Sequence, residues 1–191
     1  AETAQRRLPW APRRAIVLGA GPIGLLAVLL LRLRDLETRV ISRGRRPDPR
    51  ADVAEAAGAR YVSGSAPELR AMAGEADVIV EATGYAPLAL EAMAAVGTNG
   101  VVVLLSVGGQ RQATVDAAAI NNRLVLGNGL VVGSVNAARA HFEEGVRVLE
   151  AAEGRWPGLL GRLVTRRVGL EGWREALEGD SGVKTVLEPG E

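Results

Sequence analysis

The sequence predicts an α/β fold with a doubly wound parallel sheet, and two observations lead to this prediction. Short apolar runs alternate with longer segments of helical periodicity along residues 14–105. Strands and helices that alternate at this pitch are typical of a parallel sheet covered on both faces. Glycine-rich loops follow three of the predicted strands, at 19–21, 83–84 and 106–109. Because ligands of such sheets bind beyond the carboxyl ends of the strands, the loops predict one binding site across that edge.

Composition narrows the classes of protein. The 191 residues suffice for one domain with a small appendage. The net charge of +1 predicts neither a nucleic-acid partner nor a membrane surface. There is no cysteine, which excludes disulfides and thiolate metal sites and agrees with a cytoplasmic protein. The chain begins at Ala1 without methionine, and we interpret it as a piece of a longer protein.

The first predicted unit has the sequence AIVLGAGPIGLLAVLLL. An apolar strand over 14–18 ends in Gly19, and an apolar helix over 22–34 follows. This is the pattern of a dinucleotide-binding βαβ unit, the core of a Rossmann fold. Gly19 permits the sharp turn, Gly21 lets a pyrophosphate approach the backbone, and Gly24 lets the helix pack close to the strand. The helix N-terminus offers free N–H groups and the positive end of its dipole to the phosphates.

Two other interpretations of this segment stay open. Arg13 and Arg14 are followed by seventeen uncharged residues, which could form a signal or membrane segment. That length is at the lower limit for spanning a bilayer, and a Gly-Ala-Gly-Pro turn interrupts it. A GxGxxG match can also be incidental, because alone it is weak evidence. The strand before it, the helix after it and a second strand over 38–42 favour the dinucleotide-binding unit.

The end of that second strand indicates which dinucleotide is bound. NAD-binding units usually place Asp or Glu there for the ribose 2′-hydroxyl. This chain has Ser42 and Arg43, with Arg45 and Arg46 close behind, and Asp48 comes too late in the sequence. A guanidinium can hold the 2′-phosphate of NADP by a bidentate contact, whereas a carboxylate would repel it. The sequence therefore favours NADP, although a basic loop that only contacts solvent has the same pattern.

The remaining elements are predicted from similar signals. They are helix 50–57 with Gly58 as its C-cap, strand 60–62, helix 67–72, strand 77–81, helix 86–96, strand 101–105, helix 116–122, a strand over 124–134 broken by glycines, helix 136–152, strand 163–168, a helix around 170–177 and strand 183–187. Ser134 or Asn136 is predicted to cap the long helix. The last two strands follow a complete doubly wound unit, so we expect them to pack separately. The predicted division is a lead-in over 1–13, a Rossmann domain over 14–158 and a tail over 159–191.

The side chains do not form a recognisable catalytic set. His141 is the only histidine and has no second histidine at metal-ligand spacing, so we interpret it as a packing or capping residue. Trp10, Trp156 and Trp173 are interpreted as packing anchors. The carboxylates at the two ends of strand 77–81 are interpreted as a turn residue and an end residue. No catalytic and no metal-binding residue is predicted in this chain.

Seven segments together carry a resemblance. They are VLGAGPIGLL (17–26), VISRGRRPDP (40–49), VEATG (80–84), NGVVVLLSVGG (99–109), VDAAAINNRLVLGN (115–128), VVGSVNAARAHFEEGV (131–146) and LVTRRVGLEGW (163–173). In this order they resemble the C-terminal, nucleotide-binding half of glucose 1-dehydrogenases, members of the zinc-containing medium-chain dehydrogenase superfamily. The likeness covers about 10–187. GxGxxG and VEATG are shared by the wider superfamily, whereas GSVNAARAHF with the basic loop is more particular to the sugar dehydrogenases.

The resemblance implies a reaction and a second domain. The reaction is oxidation of an aldose, with glucose expected, at its anomeric carbon to the lactone, with hydride transfer to NADP or NAD. Zinc and most of the sugar pocket are expected in an N-terminal domain outside this chain, and the tail is expected to pack toward that domain. This chain alone is therefore expected to be inactive, and the complete protein is expected to be a homo-oligomer.

The resemblance also implies site residues. The pyrophosphate is expected to contact Gly19, Gly21 and Gly24 together with Pro22 and Ile23. The adenosine ribose and its phosphate are expected to contact Ser42, Arg43 and Arg45. The nicotinamide half is expected to contact Thr83, Gly84, Ser106 and Val107, and a sugar hydroxyl is expected to contact Asn136.

Two departures from the family pattern bear on specificity. Gly44 follows Arg43 where relatives often have paired arginines, so that Arg45 or Arg46 has to substitute. Gly127 stands where relatives tend to have histidine.

Three other functions compete with this one. A non-catalytic, dinucleotide-sensing Rossmann module would also lack catalytic residues. An S-adenosylmethionine methyltransferase shares the alternating strands and the glycine loop, but it is expected to have an acidic residue where Ser42 and Arg43 stand. Another polyol or alcohol dehydrogenase of the same superfamily would have much the same sequence pattern.

Overall fold

The computed structural model describes residues 11–108, 112–178 and 182–190. Trp10, Gly109 and most of the predicted lead-in lie outside these residues. The elements are β1 (Arg14–Leu18), α1 (Pro22–Leu33), β2 (Glu37–Ser42), α2 (Pro49–Ala56), β3 (Arg60–Ser63), α3 (Ala66–Ala71), β4 (Val78–Glu81), α4 (Ala86–Ala95), β5 (Val101–Leu104), α5 (Ala117–Leu126), β6 (Leu130–Gly133), α6 (Arg139–Arg155), β7 (Val164–Gly169), α7 (Trp173–Glu178) and β8 (Lys184–Glu188). Short 3-10 turns precede β7 and α7.

The first six strands form one parallel sheet in the order β3-β2-β1-β4-β5-β6. The prediction of a doubly wound α/β fold is therefore confirmed. The order reverses between β1 and β4, where the chain winds first toward one edge of the sheet and then toward the other. Such a switch point leaves a crevice at the carboxyl ends of the two central strands.

Helices cover both faces of this sheet. One apolar cluster joins alternate residues of β1 and β4 to α1 and α2, and Val17, Leu25 and Val28 in it are fully buried. The other cluster packs the remaining residues of the same strands against α3 and α4, around Leu18 and Ile79. Because both faces are covered, the central strands are apolar except for Arg14 at the start of β1 and Glu81 at the end of β4, as the continuous runs in the sequence predicted.

The helix α1 lies unusually close to the strand that precedes it. A Cβ at Gly24 would overlap the carbonyl oxygen of Gly19. Gly19 itself has a φ of +96°, a conformation that L side chains rarely adopt. The predicted turn at Gly19 and the predicted close packing at Gly24 are thus both present.

One predicted strand is wrong in its first half. Residues 124–126 belong to α5, and only Leu130–Gly133 is a strand. The carboxylate of Asp116 accepts a hydrogen bond from the N–H of Ala119 and so starts a helix that continues to Leu126. A short apolar run such as Leu-Val-Leu fits a buried strand and a helix equally well. The glycines at 127–129 therefore separate a helix from a strand and do not interrupt a strand.

The start of the long helix is also corrected. It begins at Arg139, with Ala138 as N-cap, so neither Ser134 nor Asn136 caps it. The Nδ1 atom of His141 accepts a hydrogen bond from the N–H of Ala138 at 3.0 Å. The imidazole, at the third helical position, thus reaches back to the N-cap residue, and the capping role predicted for His141 is confirmed.

The tail forms a separate two-stranded parallel sheet of β7 and β8. Its root is nevertheless part of the main core, because Leu159 and Val183 are buried in the cluster under α1. Trp156 packs against the same cluster, as predicted, whereas Trp173 is 45% exposed. The two strands pair with each other and not with the main sheet, whereas their separate packing and the division at residue 158 stay predictions.

No helix among the described residues is long and apolar enough to cross a membrane. The apolar segment considered as a membrane span is divided between β1, the glycine turn and the 12-residue helix α1.

Gly24→Ala should lower the free energy of unfolding by at least about 1–3 kcal/mol, the cost of overpacking, since backbone atoms oppose the new methyl group. Gly145→Ala is the matched control, because a Cβ at this position in α6 meets nothing within 4 Å. The control should stabilise the chain by about 0.5–1 kcal/mol through helix propensity. Chemical denaturation of both variants measures the difference, and equal stabilities would contradict the close packing of α1 on β1.

Candidate functional site

The sheet brings most of the predicted site residues to one edge. Because β2, β1, β4 and β5 are neighbours and parallel, the loops at their carboxyl ends lie side by side. The loop residues are Ser42 and Arg43 after β2, Gly19 to Gly24 after β1, Thr83 and Gly84 after β4, and Ser106 and Val107 after β5. Asn136 follows β6, one strand further along the same edge, and is exposed.

The N-terminus of α1 is open at the switch point. Gly21 is its N-cap residue, with extended backbone, and provides no side-chain hydrogen bond to the helix. Pro22 occupies the first helical turn and has no N–H, so the amides of Ile23 and Gly24 are the first donors that the helix presents. A Cβ at Gly21 would project into open space. Among the described residues, nothing within 4 Å would therefore oppose a side chain at position 21.

The loops after β1, β4 and β5 also contact one another. A Cβ at Gly19 would come within 2.9 Å of the Cγ2 atom of Thr83. A Cβ at Gly84, which has a φ of +66°, would lie 3.1 Å from the carbonyl oxygen of Val107. These positions leave no room for larger side chains between the loops. A ligand along this edge would therefore contact all three loops together.

A buried carboxylate holds the loop after β4. Glu81, at the end of β4, is only 1% exposed. Its Oε1 atom accepts hydrogen bonds from the backbone N–H of Thr83 at 2.6 Å and from the hydroxyl of the same residue. The Oγ1 atom of Thr83 in turn accepts a hydrogen bond from the N–H of Tyr85 at 3.0 Å. The sequence analysis interpreted Glu81 only as a strand-end residue and missed that its carboxylate holds the loop at Thr83. The one sequence signal for this role is a carboxylate at the end of an apolar strand.

The other predicted end carboxylate lies at the opposite edge. The Oδ2 atom of Asp77 accepts hydrogen bonds from the backbone N–H groups of Arg13 and Arg14, at 2.8 and 2.9 Å. Asp77 thus fixes the start of β1 and takes no part in the site.

The basic loop after β2 folds back over a buried acid. Asp48 is 7% exposed, and its carboxylate caps α2 by accepting a hydrogen bond from the N–H of Arg50 at 2.9 Å. The hydroxyl of Tyr61 donates to the carbonyl oxygen of Gly44 at 3.1 Å. A Cβ at Gly44 would overlap the carboxylate of Asp48. The departure at Gly44 therefore has a structural cause, because any larger residue there would displace Asp48.

Protonation keeps the Tyr61 hydroxyl available as a donor. Burial raises the pKa of Tyr61, and the negative charge of Asp48 raises it further, while a hydrogen bond with Ser42 lowers it. The net direction is upward, so the phenol stays protonated at neutral pH. Tyr61 thus connects the end of β2 to the turn at Gly44.

The arginines of this loop differ in their partners. Arg46 forms an ion pair with Glu55 of α2. Arg43 and Arg45 have exposed side chains, and within the part of the chain that the structure describes neither forms an ion pair. Arg45 and Arg46 were the two residues expected to substitute for the second arginine of the relatives. Among the described residues, Glu55 engages Arg46, and no carboxylate forms an ion pair with Arg45.

The described residues contain no group of three or more His, Asp or Glu side chains placed to hold a metal ion. The zinc expected from the resemblance was predicted for an N-terminal domain, and it stays a prediction.

Comparisons with known proteins agree with this fold. The family model described as glucose dehydrogenase C-terminus matches residues 1–189. A glucose 1-dehydrogenase from Methanocella arvoryzae is 43% identical over 97% of this chain and 53% of its own length. One from Caldivirga maquilingensis is 39% identical over 95% of this chain and 52% of its own length.

Solved structures give the same result. The glucose dehydrogenase of Haloferax mediterranei, in complex with NADP, Zn and gluconolactone, has a TM-score of 0.87 and 31% identity, covering 100% of this chain and 55% of that chain. An alcohol dehydrogenase from Thermotoga maritima has a TM-score of 0.79 and 26% identity, covering 98% of this chain and 53% of that chain. This chain spans about half the length of the relatives it matches. The resemblance drawn from the sequence is thereby confirmed, and the chain belongs to the glucose dehydrogenase C-terminus family.

Proposed function

We propose that this chain is the NADP-binding domain of a sugar dehydrogenase that oxidises an aldose, with glucose expected, at the anomeric carbon. The bound dinucleotide supplies the hydride acceptor, and the sugar is released as the lactone. Zinc and most of the sugar pocket belong, in this proposal, to an N-terminal domain outside this chain. The expectations of a cytoplasmic location and a homo-oligomer carry over with the family resemblance.

The open helix N-terminus at the switch point is the observation that carries the proposal. Gly21 presents bare backbone and leaves the first amides of α1 without a side-chain cap. Backbone N–H groups and the positive dipole end at such a position favour a phosphate group. A dinucleotide pyrophosphate fits this cradle, and the neighbouring loops offer contacts on either side of it.

The basic loop supports NADP over NAD. Arg43 and Arg45 are exposed beside the end of β2, where the adenosine ribose of a bound dinucleotide lies. Asp48 is close in space, but its carboxylate already caps α2 and contacts Tyr61. The acid is therefore engaged away from the ribose, and the arginines are free to bind the 2′-phosphate.

The outer surface of the tail supports an interface with the N-terminal domain. Leu170, Trp173 and Leu177 are all exposed, and Leu177 is 74% exposed. Three large apolar side chains on one short segment are typical of a protein–protein contact. We assign this surface to a contact with the proposed N-terminal domain.

Gly21→Ala tests whether the open N-terminus binds the dinucleotide. The new Cβ meets no protein atom, so the free energy of unfolding should change by less than about 1 kcal/mol. Affinity for NADP should fall about 10- to 100-fold, because hydrogen bonds to charged groups are lost where the methyl group blocks the backbone. Calorimetric titration of the chain measures this, with Gly154→Ala in α6, also in open space, as the control. Unchanged NADP affinity in Gly21→Ala would contradict the proposal.

Arg43→Ala tests the choice of dinucleotide. The unsubstituted chain should bind NADP more tightly than NAD, and the variant should lose about 10- to 100-fold in NADP affinity with NAD affinity unchanged. Arg46→Ala is the matched control, since its guanidinium is engaged by Glu55, and it should have a much smaller effect. Equal affinities for the two dinucleotides in the unsubstituted chain would overturn the preference for NADP.

Asn136→Ala tests the proposed sugar contact in the complete protein. An asparagine amide can donate to and accept from a sugar hydroxyl, and its loss should lower kcat/KM for the sugar about three- to tenfold. Stability should stay unchanged, because Ala138 and not Asn136 caps the following helix. Asn122→Ala, on the exposed face of α5, is the control. A kcat/KM for the sugar near that of the unsubstituted protein would exclude a substrate role for Asn136.

A further inference from the structure

The hydroxyl of Tyr61 reaches the basic loop from a neighbouring strand. Tyr61 lies on β3, where it pairs in register with Val40 of β2, and it belongs to the buried cluster that includes α1 and α2. The residue is only 9% exposed. Side chains in such a close-packed interior rest in single rotamer minima. The core of the domain therefore fixes the ring, and the hydroxyl at its end is a fixed point from which the loop can be held.

This hydroxyl contacts the loop at its start, its middle and its end. It donates a hydrogen bond to the carbonyl oxygen of Gly44 at 3.1 Å, and it also forms a hydrogen bond with Ser42 at the end of β2. It lies 3.5 Å from the Oδ2 atom of Asp48, the N-cap residue of α2. The phenol stays protonated at neutral pH, because burial raises its pKa. One side chain thus connects the whole turn between β2 and α2.

Gly44 stands between the two exposed arginines of this loop. Its carbonyl group belongs to the peptide that joins it to Arg45, and its N–H belongs to the peptide that joins it to Arg43. The hydrogen bond from Tyr61 therefore fixes the backbone directly between the two arginines. In a loop without this bond, a ligand that needs both arginines would have to order the backbone on binding, which costs free energy.

We propose that Tyr61 is a positioning residue for the choice between NADP and NAD, because its hydroxyl holds the peptides between Arg43 and Arg45 in advance of binding. The proposal rests on the proposed function, since it requires a dinucleotide whose adenosine ribose lies beside this loop. NADP carries a 2′-phosphate, which guanidinium groups bind, whereas NAD has a hydroxyl at the same carbon. An ordered loop therefore favours NADP and leaves the affinity for NAD unchanged. Tyr61 acts through the loop and contacts neither dinucleotide.

The test compares matched variants by calorimetric titration of the chain with NADP, NAD and adenosine 2′,5′-bisphosphate. Tyr61→Phe removes the hydroxyl and keeps the buried ring. Thr38→Val is the matched control, because the buried hydroxyl of Thr38 also donates to a backbone carbonyl, that of Leu36 at 3.0 Å, at the opposite end of β2. Gly44→Ala is a second variant, since a Cβ there would come within 2.8 Å of the Tyr61 hydroxyl and would overlap the carboxylate of Asp48.

Tyr61→Phe should weaken the binding of NADP and of adenosine 2′,5′-bisphosphate about three- to tenfold, the range for one hydrogen bond between neutral groups. The affinity for NAD should stay unchanged, so the preference for NADP should fall by the same factor. Gly44→Ala should lower this preference too, and Thr38→Val should not change it. In a chain with both Arg43→Ala and Arg45→Ala, Tyr61→Phe should have no further effect, because no guanidinium is left to position.

Cleavage by trypsin gives a second readout, which needs no ligand. Trypsin cuts after arginine, so the rates of the cuts after Arg43 and Arg45 report how often the loop opens. Tyr61→Phe should speed these two cuts about three- to tenfold through loss of the same hydrogen bond. Thr38→Val should leave both rates unchanged.

Each contrary result overturns a different step. An unchanged preference for NADP in Tyr61→Phe overturns the proposal, and if this variant does not fold, an unchanged preference in Gly44→Ala overturns it equally. An equal loss of preference in Thr38→Val shows that lower stability alone is the cause. A further loss in the chain without both arginines, or an unchanged rate of loop cleavage, shows that the hydroxyl does not act through the loop. Failure of the unsubstituted chain to bind either dinucleotide, or to prefer NADP, would instead contradict the proposed function.

Discussion

The close approach of α1 to β1 is the constraint on which the rest of the site depends. Gly24 has no room for a side chain because the carbonyl oxygen of Gly19 lies against it. This contact places the first turn of the helix directly at the carboxyl end of the central strand. The amides there then face the same crevice as the loops after β4 and β5. A helix displaced by one methyl group would aim its N-terminus elsewhere, and the loops would no longer surround one ligand.

Local sequence signals predicted the sheet and the glycine turn, because apolar runs and glycine spacing act over a few residues. They failed at residues 124–126, where a helix cap at Asp116 extends a helix through a run that also fits a strand. They failed again at the start of α6, where the N-cap residue is Ala138 and its N–H is bound by the imidazole of His141 in the first turn. Contacts that the chain makes by folding back, such as Asp48 under Gly44, have no signal in linear spacing.

Neighbouring carboxylates decide which polar groups of the site remain available to a ligand. Glu55 engages Arg46 and leaves Arg43 and Arg45 exposed. Asp48 is engaged by the cap of α2 and by Tyr61, although it lies close to the end of β2. Glu81 takes the proton of Thr83. Residue types alone therefore do not show which groups at this edge of the sheet can bind a ligand, because the neighbouring carboxylates already engage some of the donors and charges and leave others available.

The root of the tail has a consequence for exchanging parts between related dehydrogenases. Leu159 precedes β7 and Val183 directly precedes β8, and both are buried in the main core together with residues of α1. The segment that crosses to the outer surface is thus anchored at its entry and at its exit. A recombination boundary placed just after α6 would combine the core of one parent with the buried residues of the other parent at positions 159 and 183. Chimaeras that preserve the interior must therefore inherit the tail and the nucleotide-binding sheet from the same parent.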